Sequence, residues 1–167
     1  MTENFAGKHL NAETIREYER KHVLTPWAPQ KGLNPLVATK AKGNYFYDSE
    51  DRKYLDFTSQ FVFSNLGHGD ERVVAAIADQ AARLTAINSQ FATEPKAKLG
   101  KLLADVLPGD VNKAFFSTSG AEANEGAIKI ARTVTGKHKI ISRYRSYHGS
   151  SYGAMSLGAE FRNWSYE

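Results

Sequence analysis

The chain contains no cysteine, so neither a disulfide framework nor a thiolate metal site is available to it. Its five histidines lack ligand-like spacing, which argues against a zinc centre. No apolar stretch approaches the ~20 residues that a membrane-spanning helix needs. The opening residues MTENFAGKHL lack the apolar centre of a secretory signal, and a cytoplasmic location is the default expectation. The excess of positive charge is small, +4 in all. Arg143 with Arg145 is its one local cluster, poor material for binding nucleic acid. There is no internal repeat, low-complexity tract or long linker. What is present, 41% hydrophobic and 24% charged residues over 167 positions, matches an ordinary globular domain long enough to bury a core if it folds alone.

Residues 11–23 read as an amphipathic helix with Ile15, Tyr18 and His22 on one face and Asn11 as N-cap. Thr25-Pro26-Trp27-Ala28-Pro29 breaks it. Segments 37–41, 45–47 and 54–57 read as short strands, the first two joined by a Lys42-Gly43-Asn44 turn. Residues 48–53 read as a solvated turn. Glu50 and Asp51 there have no apolar surroundings to perturb them, so acid–base catalysis is not assigned to them. Asp70 caps a helix to about residue 84, with Val73, Val74, Ile77, Ala81 and Leu84 as a packing stripe. A second helix, 95–107, carries Leu99, Leu102, Leu103 and Val106 and ends at Pro108-Gly109. Asn88-Ser89-Gln90-Phe91 is the loop between them.

The most informative stretch is 114–132, AFFSTSGAEANEGAIKIAR. Ala114-Phe115-Phe116 reads as the end of a buried strand, Ser117 to Gly120 as a turn, and Ala121 onward as a helix. Ala123, Ala127, Ile130 and Val134 give that helix an apolar stripe. A strand handed to a helix through Ser-Thr-Ser-Gly leaves free N–H groups at the positive end of the helix dipole. Two readings stand at this point: an anion such as phosphate sits there, or Ser119 simply caps the helix and Gly120 eases the turn. The spacing fits neither the Walker pattern nor G-x-G-x-x-G, which disfavours a P-loop NTPase and a dinucleotide fold. Residues 139–142 read as a second strand, followed by Arg143-Tyr144-Arg145-Ser146-Tyr147-His148-Gly149. Two strands about one helix predict a right-handed βαβ unit with both strand ends at one sheet edge. Tyr147 and His148 would then stand near the anion loop, which suits a ligand with both a ring and a phosphate.

The chain resembles the N-terminal part of a class III, fold type I aminotransferase that uses pyridoxal 5′-phosphate. The residues that carry the resemblance are Tyr54-Leu55-Asp56, Asn65-Leu66-Gly67-His68, Ser119-Gly120-Ala121-Glu122-Ala123-Asn124-Glu125, Ala127-Ile128-Lys129, Ala131-Arg132, Thr135-Gly136 and Tyr147-His148-Gly149. It runs from about Pro35 onward, and omega-amino-acid:pyruvate enzymes are the branch it looks most like. The resemblance implies an α/β fold: an incomplete large domain with a parallel-sheet βαβ unit, preceded by a small-domain β-meander. Residues 1–60 would be the N-terminal helix and part of the small domain. Residues 61–167 would begin the cofactor-binding large domain.

The same resemblance implies that Gly120 and Ala121, helped by Ser119, hold the cofactor phosphate. Tyr147 would stack on the pyridine ring with His148 beside it. Phe61 and Val62 would line the substrate pocket, although on residue chemistry alone they are core residues of an apolar run. The implied activity moves an amino group from an omega-amino acid to a 2-oxo acid such as pyruvate in a homodimer. The residue that bonds the cofactor covalently (a lysine), the aspartate on the pyridine nitrogen and a partner-subunit threonine find no counterpart on this chain. Lys129 reads as solvated helix surface and Lys139 stands at a strand start. No catalytic residue is therefore assigned, and the chain is expected to be a fragment, inactive by itself. Segment 162–167 reads as neither a helix end nor a recognisable tail. The alternatives are a non-catalytic fragment, or an aminomutase or decarboxylase of the same family.

Overall fold

A computed structural model describes residues 9–158, so segment 162–167 lies outside the described residues. The chain divides into two compact units, Met1–Ile87 and Asn88–Glu167. Among the described residues no helix is long and apolar enough to cross a membrane.

In the first unit, α1 (Ala12–His22) begins as expected, with Asn11 accepting the Thr14 N–H at 2.9 Å. Strands β1 (Ala38–Lys42), β2 (Tyr45–Asp48) and β3 (Lys53–Leu55) form an antiparallel sheet in sequential order. Gly43, at φ +59°, supplies the left-handed conformation that a two-residue hairpin needs. Phe46 faces Tyr54 across the β2–β3 ladder, and their rings stack at 5.1 Å. Such cross-strand pairs fix register.

The 48–53 turn departs from its expected solvation. Asp48 is only 1% exposed. Its carboxylate accepts the Glu50 N–H, the Arg52 N–H, the Arg52 Nε at 2.6 Å and the Tyr54 hydroxyl at 2.9 Å. Burial pushes this carboxyl up, but the Arg52 guanidinium and the other donors outweigh it and hold it at about 2. The turn's donors converge on one carboxylate, which therefore sits inward. Glu50 and Asp51 are exposed.

After β3 comes α2 (Ser59–Val62), a single turn wound left-handed: φ is +48°, +52°, +59° and +74° along it. L-residues are disfavoured there by about 1–2 kcal/mol each. The Asp56 carboxylate braces the turn by accepting Gln60 N–H at 3.2 Å, Gln60 Nε2 at 3.1 Å and the Thr58 hydroxyl. It also meets His68 Nε2 at 2.7 Å. His68 itself is bridged to Gly43 by two backbone hydrogen bonds. Then α3 (Glu71–Arg83) starts where Asp70 accepts the Arg72 N–H at 3.0 Å.

The second unit holds α4 (Glu94–Val106), α5 (Gly120–Thr135) and α6 (Tyr152–Ser156). Pro95 lies in the first turn of α4, where its missing N–H costs nothing. Gly136 closes α5 in the left-handed region, φ +67°.

Two expectations are corrected here. Segments 114–116 and 139–142 join no sheet among the described residues, and Phe115 and Ile141 are exposed at 68% and 98%. A strand is defined by a hydrogen-bonded neighbour, and among the described residues these segments have none, so no parallel ladder is present there. The helical stripes are likewise uncovered: Val74, Ile77, Leu102, Val106, Ile130 and Val134 are all exposed. The buried face of α5 is instead the one that carries Ile128, 7% exposed. That helix packs on α6, whose Ala154 is fully buried. An apolar stripe is covered only where another element opposes it.

Candidate functional site

Ser119 adopts an extended backbone and its hydroxyl accepts the Glu122 N–H at 3.2 Å. Glu122 turns back over the helix start and accepts the Thr118 N–H at 2.7 Å and the Thr118 hydroxyl at 2.6 Å. The Thr118 hydroxyl and N–H hold the Glu122 carboxyl below its ordinary range. The reciprocal arrangement is close to a capping box, so the capping reading of Ser119 holds. It does not exhaust the site. Helix geometry gives the Gly120 and Ala121 N–H groups no intrahelical acceptor, and both lie at the positive end of a 16-residue helix. A Cβ added at Gly120 would meet nothing within 4 Å, so there is room beside that residue.

The 147–149 segment is drawn against this helix start. Gly149 has φ +133°, and a Cβ placed on it would lie 2.5 Å from Ala121 Cβ and 2.7 Å from Ala121 Cα. Only a glycine admits that approach. Asn124 Nδ2 donates to the His148 carbonyl at 2.6 Å. One turn position on, Glu125 Oε1 accepts the Ala154 N–H at 3.0 Å. Gly153 presses so closely on this carboxylate that an added Cβ would fall 2.2 Å from Glu125 Oε2. The Ser151 hydroxyl and the Ala154 N–H hold the Glu125 carboxyl below its ordinary range.

Ala121 is thus brought against Gly149, and Asn124 against the His148 carbonyl. Tyr147 is half exposed, at 53%, and its hydroxyl lies 2.9 Å from Ser150 Oγ. His148 Nε2 lies 2.9 Å from Ser146 Oγ, a hydrogen-bonding role. Asn124 and Glu125 tie these segments to the helix, a task that residue-level reading did not give them. The signal was a polar Asn-Glu pair on the helix face opposite the one taken as buried.

Phe61 and Val62 belong to the other unit and sit on the left-handed α2 turn. They are exposed at 88% and 80%, which overturns their reading as core residues. Four successive left-handed residues turn the side chains away from the path a strand or right-handed helix would give them, so the apolar run does not line one buried face. Lys129 lies on the exposed side of α5, as expected.

A capped helix start, a close-packed glycine and a half-exposed tyrosine are thus gathered in the second unit. Comparison with known proteins is specific. The aminotransferase class-III family model matches residues 27–165, and the chain belongs to that family. It is 41% identical over 152 residues to a leucine/methionine racemase of Thermococcus litoralis, covering 89% of this chain and 33% of the racemase. The taurine:2-oxoglutarate aminotransferase of Bifidobacterium kashiwanohense, solved with PLP and glutamate, superposes at a TM-score of 0.91 with 40% identity, over 96% of this chain and 36% of that one. A thermostable (S)-enantioselective omega-transaminase from Thermomicrobium roseum gives 0.88 at 32% identity, over 94% and 38%. The chain therefore spans about a third of the length of these relatives.

Proposed function

We propose that this chain supplies the phosphate seat and the ring-facing residues of an aminotransferase dependent on pyridoxal 5′-phosphate. The observation that carries this is the contact of Gly149 with Ala121, which packs the segment that carries the exposed Tyr147, two residues before Gly149, against the start of α5. Gly120 and Ala121 would bind the phosphate through backbone N–H groups with Ser119 beside them. Tyr147 would lie against the ring, with His148 next to it. When bound, the pyridine ring serves as an electron sink for the substrate carbon that loses a proton. The chain's own share is to bind and orient.

Phe61 and Val62 are proposed for the substrate pocket. Two large apolar side chains held outward on a strained turn favour a binding role, since such strain persists where function uses it. The proposed substrates are an omega-amino acid donor and a 2-oxo acid acceptor such as pyruvate, a reading supported by likeness to an omega-transaminase and a taurine aminotransferase. A soluble, cytoplasmic homodimer belongs to the same proposal, as does a division into 1–60 and 61–167. No residue here is proposed to bond the cofactor covalently, so the 167-residue chain would bind without turnover. A second reading, amino-acid racemisation, is favoured by the likeness to the racemase.

The test is binding of pyridoxamine 5′-phosphate, which has no aldehyde to react with surface lysines. Gly120→Asp places a negative charge beside the seat, at a position where an added Cβ meets nothing within 4 Å, and should weaken binding by about tenfold or more. Unchanged affinity would refute the site.

A further inference from the structure

The proposal above assigns nothing to Asn124 and Glu125, although from the second turn of α5 Asn124 reaches the segment that carries Tyr147 and His148, and Glu125 reaches α6, which follows it. Asn124 holds the His148 carbonyl at 2.6 Å and Glu125 the Ala154 N–H at 3.0 Å. The two bonds are made 24 and 29 residues away in sequence, so they tie two distant pieces of chain and do not merely decorate a helix. Gly149 and Gly153 have no side chains and fit against Ala121 and the Glu125 carboxylate. Both glycines therefore sit under the two polar grips, and each grip is matched by a close approach.

Resting on the cofactor reading, we infer that Asn124 and Glu125 are positioning residues that fix the distance between the phosphate seat and Tyr147, and so make the site selective for a phosphate that carries a ring. Ser119, Gly120 and Ala121 bind phosphate from the helix start whatever is attached to it. The ring is recognised only if Tyr147 is held at one separation from that start. The Asn124 bond to His148 sets that separation directly, and the Glu125 bond anchors the α6 that follows, both from the same helix that provides the seat. Seat and ring contact are therefore referenced to one rigid element, which is the economical way to hold a two-point ligand.

The experiment compares the affinity of the full 167-residue chain for pyridoxamine 5′-phosphate and for inorganic phosphate, by calorimetry, with circular dichroism on each variant. The starting chain prefers the ringed ligand. Asn124→Asp keeps the shape but replaces the donor by a carboxylate facing a carbonyl, and Glu125→Ala removes the acceptor. Each should cut the preference about fivefold, the worth of one hydrogen bond, with phosphate affinity unchanged. Glu125→Gln keeps an acceptor oxygen for the Ala154 N–H and should retain the preference. A preference unaltered in Asn124→Asp and Glu125→Ala, or a loss of phosphate affinity equal to that of the ringed ligand, would overturn the inference while leaving the seat in place. A starting chain with no preference for the ringed ligand would overturn the cofactor reading itself, and the inference with it.

Discussion

At Asp48 four donors converge on a carboxylate that is almost fully enclosed. Its pKa is lower in the folded chain, about 2, than the ordinary 3.8. The contribution to stability is therefore complete above pH 3.8 and is lost as the pH falls toward 2. Urea midpoints should drop across that window, and Asp48→Asn should lower the midpoint at neutral pH and flatten the drop; a midpoint insensitive to both would contradict the role given to this carboxylate. Gly149 gives a second residue-level prediction. A methyl group there would overlap Ala121, so Gly149→Ala should destabilise the second unit by about 1–3 kcal/mol, read as a lower unfolding midpoint. The Ser119 cap was legible in the sequence because residue type alone states its chemistry. Asp48 was not: an aspartate in a run of charged residues reads as solvated until its donors are seen to converge.

Among the elements, helix starts were the most legible. Asn11, Asp70 and Ser119 each accept an N–H of their own first turn, because capping is a local interaction that a short window contains. The faces of the helices were not legible. The apolar stripe of α5 pointed to Ile130 and Val134, yet Ile128 is the buried residue, because the partner is α6 and spacing alone cannot name a partner. The left-handed α2 turn was also hidden, since Ser59-Gln60-Phe61-Val62 contains no glycine or asparagine to announce it. Ser59→Gly should raise stability by about 1 kcal/mol, measured by urea unfolding. A loss of stability would show that the turn is not strained at Ser59. Asp56→Ala should release the turn, and the amide resonances of residues 59–62 should move together in an NMR spectrum.

For the molecule as a whole, the described residues bury few apolar side chains: Val37, Ile128 and Ala154. Phe57, Phe61, Leu102, Val106 and Ile141 are all more than half exposed. Exposed apolar surface of this kind drives association, so the 167-residue chain alone should bind a hydrophobic dye and sediment above its 18.5 kDa as concentration rises. A monomer at all concentrations would show that those faces are covered. The small antiparallel sheet was legible strand by strand, since hairpin turns and alternating aromatics are local signals. The parallel sheet expected around α5 was inferred from connectivity, and in the described residues its two segments find no ladder neighbour.

The most direct measurement is titration of the 15N-labelled chain with pyridoxamine 5′-phosphate, followed residue by residue. The largest shifts should fall on the Gly120 and Ala121 amides, with the Tyr147 ring moving in step at the same ligand concentration. Shifts confined to surface lysines, or Gly120 and Ala121 amides that stay still at saturation, would contradict the phosphate seat.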